Sequence, residues 1–296
     1  MSSFDNRIEA FADQLNALPF YRKGIPENME DLLLPPSGRV YMDCGIARVA
    51  FGFLAMLALT GWSTRMDLVA IVNWQRQRPL ASNRYQRVYN LLTQAGLWEV
   101  YTTSYRYHPV SFVRLTDKAR ELLIAADLPI TPSEWNVIEA SHRRAGLSEQ
   151  MPHTTAICLF LRYARLRGYS TAACPTGNGL GRAEPDALIK RAGQRIYVEV
   201  QRRGGEHWRK MQKWRNQVAL QGFSAICAET TRQAQVFAQE AQRHAEAPRG
   251  LITDIGTLVE QAPTSLWTHR WRSLYAPLEE ITADDARDEQ ALFTTA

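Results

Sequence analysis

The sequence predicts a multi-domain α/β chain. Three observations carry that expectation: a length of 296 residues, a succession of helix-period segments in the first half, and a strand, turn, strand pattern followed by alternating helix and strand in the second. Length alone favours two domains, and 45% hydrophobic residues suffice for two packed cores. The chain divides by composition into 1–40, an N-terminal helix and connection; 41–128, a first domain; 129–147, a linker; 148–275, a second domain; and 276–296, an acidic tail.

Each element has a local cause. Ile8, Phe11 and Leu15 on one face predict a helix from Asn6 to Leu18, and a proline-containing connection follows over 26–37. Three helical runs come next: Ala47 to Leu59, Thr64 to Asn73 and Ser82 to Ala95. The longest apolar stretch, Val49 to Trp62, falls short of the roughly 20 residues a bilayer-spanning helix needs, so it reads as a core helix. Trp62-Ser63-Thr64 and Leu80-Ala81-Ser82 each set a hydroxyl before a helix, which is N-cap chemistry. Gly96 ends the third run. Leu97 to Tyr101 and Val110 to Leu115 read as strands across a loop containing Arg106, and Thr116-Asp117-Lys118-Ala119 opens a helix through Leu123.

In the second half, Ser148-Glu149-Gln150-Met151-Pro152-His153 opens a helix with Ile157, Phe160, Leu161 and Ala164 in period, closing at Gly168. Ala187-Leu188-Ile189 and Ile196-Tyr197-Val198 are apolar and partly β-branched. The polar segment between them contains Gly193, so the pair reads as a β-hairpin. A basic helix follows. Phe223 to Ala228 then reads as a buried strand, Arg232 to Ala247 as a helix and Gly250 to Thr253 as a short strand.

The chemistry concentrates on the hairpin. Pro185-Asp186 enters its first strand, and Glu199-Val200-Gln201 closes its second. Side chains alternate along a strand, so Glu199 and Gln201 share a face while Val198 and Val200 pack on the other. Two carboxylates on adjacent strands can hold a hard cation, Mg²⁺ or Mn²⁺, against a phosphate. Such an ion polarises a phosphoryl oxygen and lowers the pKa of a bound water. Arg202, Arg203, Arg209, Lys210, Lys213 and Arg215 crowd the next segment, opposed by Glu206, within a net charge of +5. A cluster of that kind neutralises phosphates and releases counterions. The bland alternative is an amphipathic helix and hairpin whose acids are solvated and whose basic helix covers a packed edge.

Pro185-Asp186, the hairpin and Glu199-Val200-Gln201 resemble the PD-(D/E)XK nuclease superfamily, in which Pro-Asp precedes a hairpin and an acid, one spacer and a lysine complete the site. The resemblance implies a restriction-endonuclease-like α/β core and a metal-dependent endonuclease. Asp186 and Glu199 are then the metal ligands, and Glu149 assists from the preceding helix with His153 behind it. Gln201 stands where the lysine is usual, as in some restriction enzymes; Lys210 or Lys213 is the candidate for a migrated lysine. The first half resembles a winged helix-turn-helix domain, on Val113-Arg114-Leu115-Thr116 and Lys118 to Leu123. That likeness implies a recognition helix carrying Ser82, Asn83, Arg84, Gln86 and Arg87 into a major groove. Arg76 and Arg78 would contact phosphate, Arg106 would sit on the wing, and Arg202, Arg203, Arg209 and Lys210 would add contacts from the core.

Together, His153, Pro185-Asp186 and Glu199-Val200 are similar to the replication-relaxation family of bacterial mobile-element proteins. What the resemblance implies is a cytoplasmic DNA-binding protein, with a homodimer suiting paired half-sites and a further protein partner compatible with such a role. Two functions follow. One is a Mg-dependent endonuclease whose site is selected by the winged helix. The other is a non-catalytic DNA-binding regulator of transcription or mobile-element replication, which Gln201 favours.

Other classes lose on residues. Cys44, Cys158, Cys174 and Cys227 lie without paired spacing, which argues against a zinc site and a disulfide framework. The six histidines are scattered, which predicts no zinc cluster. Gly177-Asn178-Gly179-Leu180-Gly181 lacks the lysine-serine pair of a phosphate loop, and no serine sits in a Gly-x-Ser-x-Gly elbow. The amino terminus lacks the basic start and apolar run of a secretory signal.

Overall fold

The computed structural model describes residues 44–75, 81–105, 108–144, 151–202, 207–261, 263 and 265–282. It is a mixed α/β protein that divides into two compact units, Met1–Val137 and Ile138–Ala296. The expected helix at Asn6 to Leu18 lies outside the described residues.

The first unit is built on α1 (Cys44–Thr60), whose residues from Ala50 to Ala58 are almost wholly buried. A helix apolar all round belongs at the centre of a core. Accordingly α1 packs against α2 (Arg65–Gln75), α3 (Ser82–Gln94), α4 (Asp117–Ala125) and the strand His108–Leu115. On α3, Val88 and Leu92 are buried and Tyr85 and Tyr89 pack against the same core, an i, i+3, i+4, i+7 stripe. Phe53 meets Tyr85 and Trp98 edge-on, at 5.7 and 6.1 Å between ring centroids. Strands β1 (Trp98–Tyr105) and β2 (His108–Leu115) pair antiparallel from Trp98↔Leu115 to Tyr105↔His108. Thr116 caps α4 by accepting from the Ala119 N–H.

Two sequence expectations change here. Ser82 is the first helical residue of α3, and its cap position is Ala81, which makes no side-chain cap bond. The segment 129–147 is not a plain linker. It contains α5 (Glu134–Arg144), and the division between the units falls inside that helix. The α5 amino end is tied to the α1–α2 turn: Ser63 Oγ accepts from the Trp135 N–H at 3.0 Å, and the Glu134 N–H donates to the Gly61 carbonyl at 2.8 Å.

In the second unit, α6 (Met151–Leu166) precedes a seven-stranded sheet ordered β3 (Ser170–Ala173), β4 (Ala187–Arg191), β5 (Gln194–Gln201), β6 (Ser224–Ala228), β7 (Gly250–Asp254), β8 (His269–Trp271), β9 (Glu279–Glu280). β3, β4 and β5 run antiparallel; β5, β6 and β7 run parallel; β8 and β9 close the edge antiparallel. Parallel neighbours need crossover connections. These are α7 (His207–Gln221) between β5 and β6, and α8 (Thr231–His244) between β6 and β7. β7 runs straight into a short helix, α9 (Ile255–Glu260), whose N-cap is Asp254. Glu279 and Glu280, read as the start of an acidic tail, form β9 instead.

Helix α7 is seated by its amides. β5 and β6 pair only from Glu199↔Ile226 to Gln201↔Ala228, so the backbones part at Tyr197 and Ala225. Gln217 fills that gap: its Nε2 donates to the Tyr197 and Ala225 carbonyls at 2.7 and 2.9 Å, and its Oε1 accepts from the Ala225 N–H and the Ser224 hydroxyl at 3.0 and 2.9 Å. Gln221 Oε1 accepts from the Tyr197 N–H at 2.8 Å, one turn on. At β7, a Cβ on Gly250 would overlap the ring of Trp271, so only glycine admits that buried indole, which donates to the Ala247 carbonyl.

Cys158, Cys174 and Cys227 are buried free thiols. Among the described residues, no helix is long and apolar enough to cross a membrane.

Candidate functional site

Asp186 sits at the mouth of β4 and Glu199 near the end of β5, and both are buried. Asp186 is fixed from two sides. Its Oδ2 accepts from the Val200 N–H at 2.9 Å, and its backbone carbonyl accepts from the Cys174 N–H at 2.9 Å. Helix α7 brings Lys213 Nζ to 3.3 Å from Glu199 Oε2. The placement follows from the amide seating: Lys213, Gln217 and Gln221 recur every four residues, so they share one helix face, and Gln217 and Gln221 lock that face onto the β5–β6 gap.

Two histidines complete the group. His153, in the first turn of α6, places Nε2 3.5 Å from Asp186 Oδ1. His142, on α5, stacks on His153 with ring centroids 4.8 Å apart and 25° between planes. One donor atom from each of His142, His153 and Asp186 lies within 4.8 Å of the others. His142 is buried, and neither of its ring nitrogens has a hydrogen-bond partner among the described residues.

The electrostatics separate the two carboxyls. Burial by itself would raise Asp186. The charges of Lys213 and His153 and the hydrogen bonds from His153 and Val200 outweigh it and hold Asp186 well below the usual carboxylate range. Burial pushes Glu199 up to about 8, and Asp186 adds to the push against the pull of Lys213. Two neighbouring buried carboxyls resist ionising together, which favours Asp186 as the ionised partner and holds Glu199 up. The Lys213 ammonium is held protonated by Glu199 and Asp186. Burial, aided by His153 and Lys213, lowers His142 and favours its neutral imidazole, with Asp186 opposing. Burial and then Asp186 push the nearby Cys174 thiol up to about 12, so it stays protonated.

These donors fit a divalent cation. Buried carboxylates need a counter-charge, and the neutral imidazole of His142 offers one lone pair and one N–H that are unmatched among the described residues. The six histidines read as scattered in the sequence, but two of them meet: His142 and His153 are eleven positions apart, and α5 and α6 bring their rings into contact.

The other sequence-named residues divide. Gln201 ends β5, half-buried, one alternation beyond Glu199. Lys213, one of the two lysines named for the migrated position, is the one beside Glu199. Lys210, read as a phosphate contact, is buried, paired with Glu240 at 2.7 Å and set over the rings of Trp214 and Phe237. Arg202 pairs with Glu229 at 3.0 Å. Arg209 lies on α7. Glu149, Arg203, Arg76, Arg78 and Arg106 fall outside the described residues. On α3, Ser82, Asn83, Gln86 and Arg87 are exposed and Arg84 is half-buried. Asn83 Oδ1 accepts from the Arg84 N–H at 2.7 Å, and Gln86 Nε2 donates to Asn90 Oδ1 at 2.9 Å.

Comparison with protein-family models, with curated proteins and with solved structures finds no match to this chain.

Proposed function

We propose that the protein is a metal-dependent DNA endonuclease, with 44–125 acting as a winged-helix reader and the second unit as a restriction-endonuclease-like core. The observation that carries this reading is the convergence of Asp186, Glu199 and Lys213 at one point of the central sheet. Three further features support it. The order helix, hairpin, basic helix, strand, helix that the sequence suggests is matched by α6, β4–β5, α7, β6 and α8, with β3 added beside the hairpin. In the first unit, three helices, a hairpin and a closing helix agree with the winged-helix reading. Polar side chains on the outer face of α3 suit base edges and phosphates.

In this reading, Asp186 and Glu199 would hold a divalent ion, Mg²⁺ or Mn²⁺, whose chemistry when bound would be to lower the pKa of a water and offset charge on the scissile phosphate. Asp186 enters the reaction ionised. Glu199 would have to be ionised to serve as a ligand, its proton passing to solvent, with Lys213 beside it to match the carboxylate. Lys213, 3.3 Å from Glu199, supplies the positive charge that the superfamily takes from a lysine two residues after the acid. That position is Gln201 here, and the glutamine is what favours the second reading, a DNA-binding regulator without catalysis.

The test is cleavage and binding measured side by side. Asp186→Ala and Lys213→Met are expected to lower the cleavage rate by about 100-fold or more, the scale of losing one preorganised electrostatic group. DNA affinity at fixed salt is expected to stay within a factor of about two. Variants that cut as fast as the natural protein would remove the catalytic assignment, and no cutting by any form with binding intact would favour the regulator.

A further inference from the structure

The donors around Asp186 are not all oxygen, and that bears on which ion the site takes. Mg²⁺ prefers an all-oxygen shell and keeps its waters, whereas imidazole nitrogen is a ligand for first-row transition ions. We propose that His142, His153 and Asp186 form a binding site for a divalent transition-metal ion of the class of Mn²⁺, Co²⁺ or Zn²⁺. The proposal rests on the nuclease reading for what the ion does and on the geometry of three side chains for what the ion is.

Three observations carry it. The donor atoms already lie within 4.8 Å of one another. An ion about 2.0–2.1 Å from each nitrogen in tetrahedral array would draw them to about 3.4 Å apart, a movement that side-chain rotation supplies. His142 is 93% buried, since its relative exposure is 7%, and both ring nitrogens lack a hydrogen-bond partner among the described residues. A buried imidazole with no partner is costly unless something occupies its lone pair. Finally, Asp186 is turned for the purpose: Oδ2 is taken up by the Val200 N–H, which leaves Oδ1 facing His153 Nε2. Two imidazoles and one carboxylate leave coordination positions open for water and for a phosphate oxygen, and Glu199 stands on the neighbouring strand to take one of them.

A structural alternative is that the stacked imidazoles only pack against Asp186, with His153 as its hydrogen-bond partner. The two accounts differ in what the protein binds. Tag-free, full-length protein would be titrated with Co²⁺, followed by visible absorption, and with Mn²⁺ and Mg²⁺ by calorimetry. Expected is a single Co²⁺ or Mn²⁺ per chain that excess Mg²⁺ does not displace. His142→Ala should weaken that binding by about 100-fold or more, the upper end of what losing even an outer partner of a ligand costs. His142→Gln, which keeps the volume, should do the same if the alanine variant fails to fold, with circular dichroism confirming the fold of each. Equal affinities for Mn²⁺ and Mg²⁺, or unchanged Co²⁺ binding in both His142 variants, would overturn the assignment. Cleavage that persists in Mg²⁺ alongside those results would leave the nuclease reading standing. Tight Co²⁺ binding lost in the His142 variants would uphold the site even if no DNA is cut, and the nuclease reading alone would then fall.

Discussion

At the scale of single residues, the candidate site was half legible. Asp186 and Glu199 announce themselves because strand alternation and a two-residue turn fix where their side chains emerge. Lys213 could be narrowed only to a pair with Lys210. Both lie on α7, and the phase of the helix against the sheet decides which one meets Glu199; Lys210 turns to Glu240 instead. The spacing of Gln217 and Gln221 behind Lys213 was the available signal. His142 had none, because its approach to His153 is made by the packing of α5 and α6 and leaves no spacing rule in the chain. The same residues set a pH dependence. Glu199 is raised from its ordinary 4.5 to about 8, so the folded chain holds a proton that the unfolded chain releases. Its contribution to stability is present in full below about 4.5 and is lost as pH rises through about 8. The melting temperature of the natural protein minus that of Glu199→Gln is therefore expected to fall between pH 5 and 8. A difference that is flat or rises with pH would contradict the placement of the proton.

At the scale of elements, periodicity was a good guide where a face is buried and a poor one where it is not. The runs at α1, α3 and α6 carry apolar residues at helical spacing and were read within a few residues. β3, Ser-Thr-Ala-Ala, has no apolar alternation to read; it is a strand because β4 offers it a partner. α5 hides behind Pro129 and Pro132, which read as a hinge. β8 and β9 are too short to have a period. The seating of α7 makes an element-scale prediction. Gln217→Ala removes four hydrogen bonds at the parting of β5 and β6 and orphans three polar groups, the Tyr197 carbonyl keeping Gln221; at about 1–3 kcal/mol for a single unsatisfied buried group the loss should exceed about 2 kcal/mol. Chemical denaturation should report it as a lowered midpoint. Gln212→Ala, on the exposed face of the same helix, is the control and should change stability by less than about 0.5 kcal/mol. Equal effects would mean that the amide bonds do not seat the helix.

At the scale of the whole molecule, a net charge of +5 gives little field by itself, so what matters is where the cations stand. Lys210 and Arg202 are occupied by Glu240 and Glu229, which removes part of the basic cluster that the sequence alone offered to phosphate. Arg87, exposed on α3, keeps that opportunity. Under the proposed reading, Arg87→Ala should weaken DNA binding and, if it touches phosphate, make the slope of log K against log[salt] shallower by about 1. Asp186→Ala should leave the slope unchanged. An unaltered affinity in Arg87→Ala would turn α3 toward protein contact.

The central claim is that buried acids, Lys213 and two histidines make a phosphodiesterase centre. The most direct measurement is conversion of supercoiled DNA to nicked or linear forms by purified protein in Mn²⁺ or Mg²⁺, with EDTA and Asp186→Ala in parallel. The account predicts metal-dependent cutting that both controls abolish. Cutting that survives EDTA and the alanine substitution, or its complete absence in every metal while DNA is bound, would contradict it.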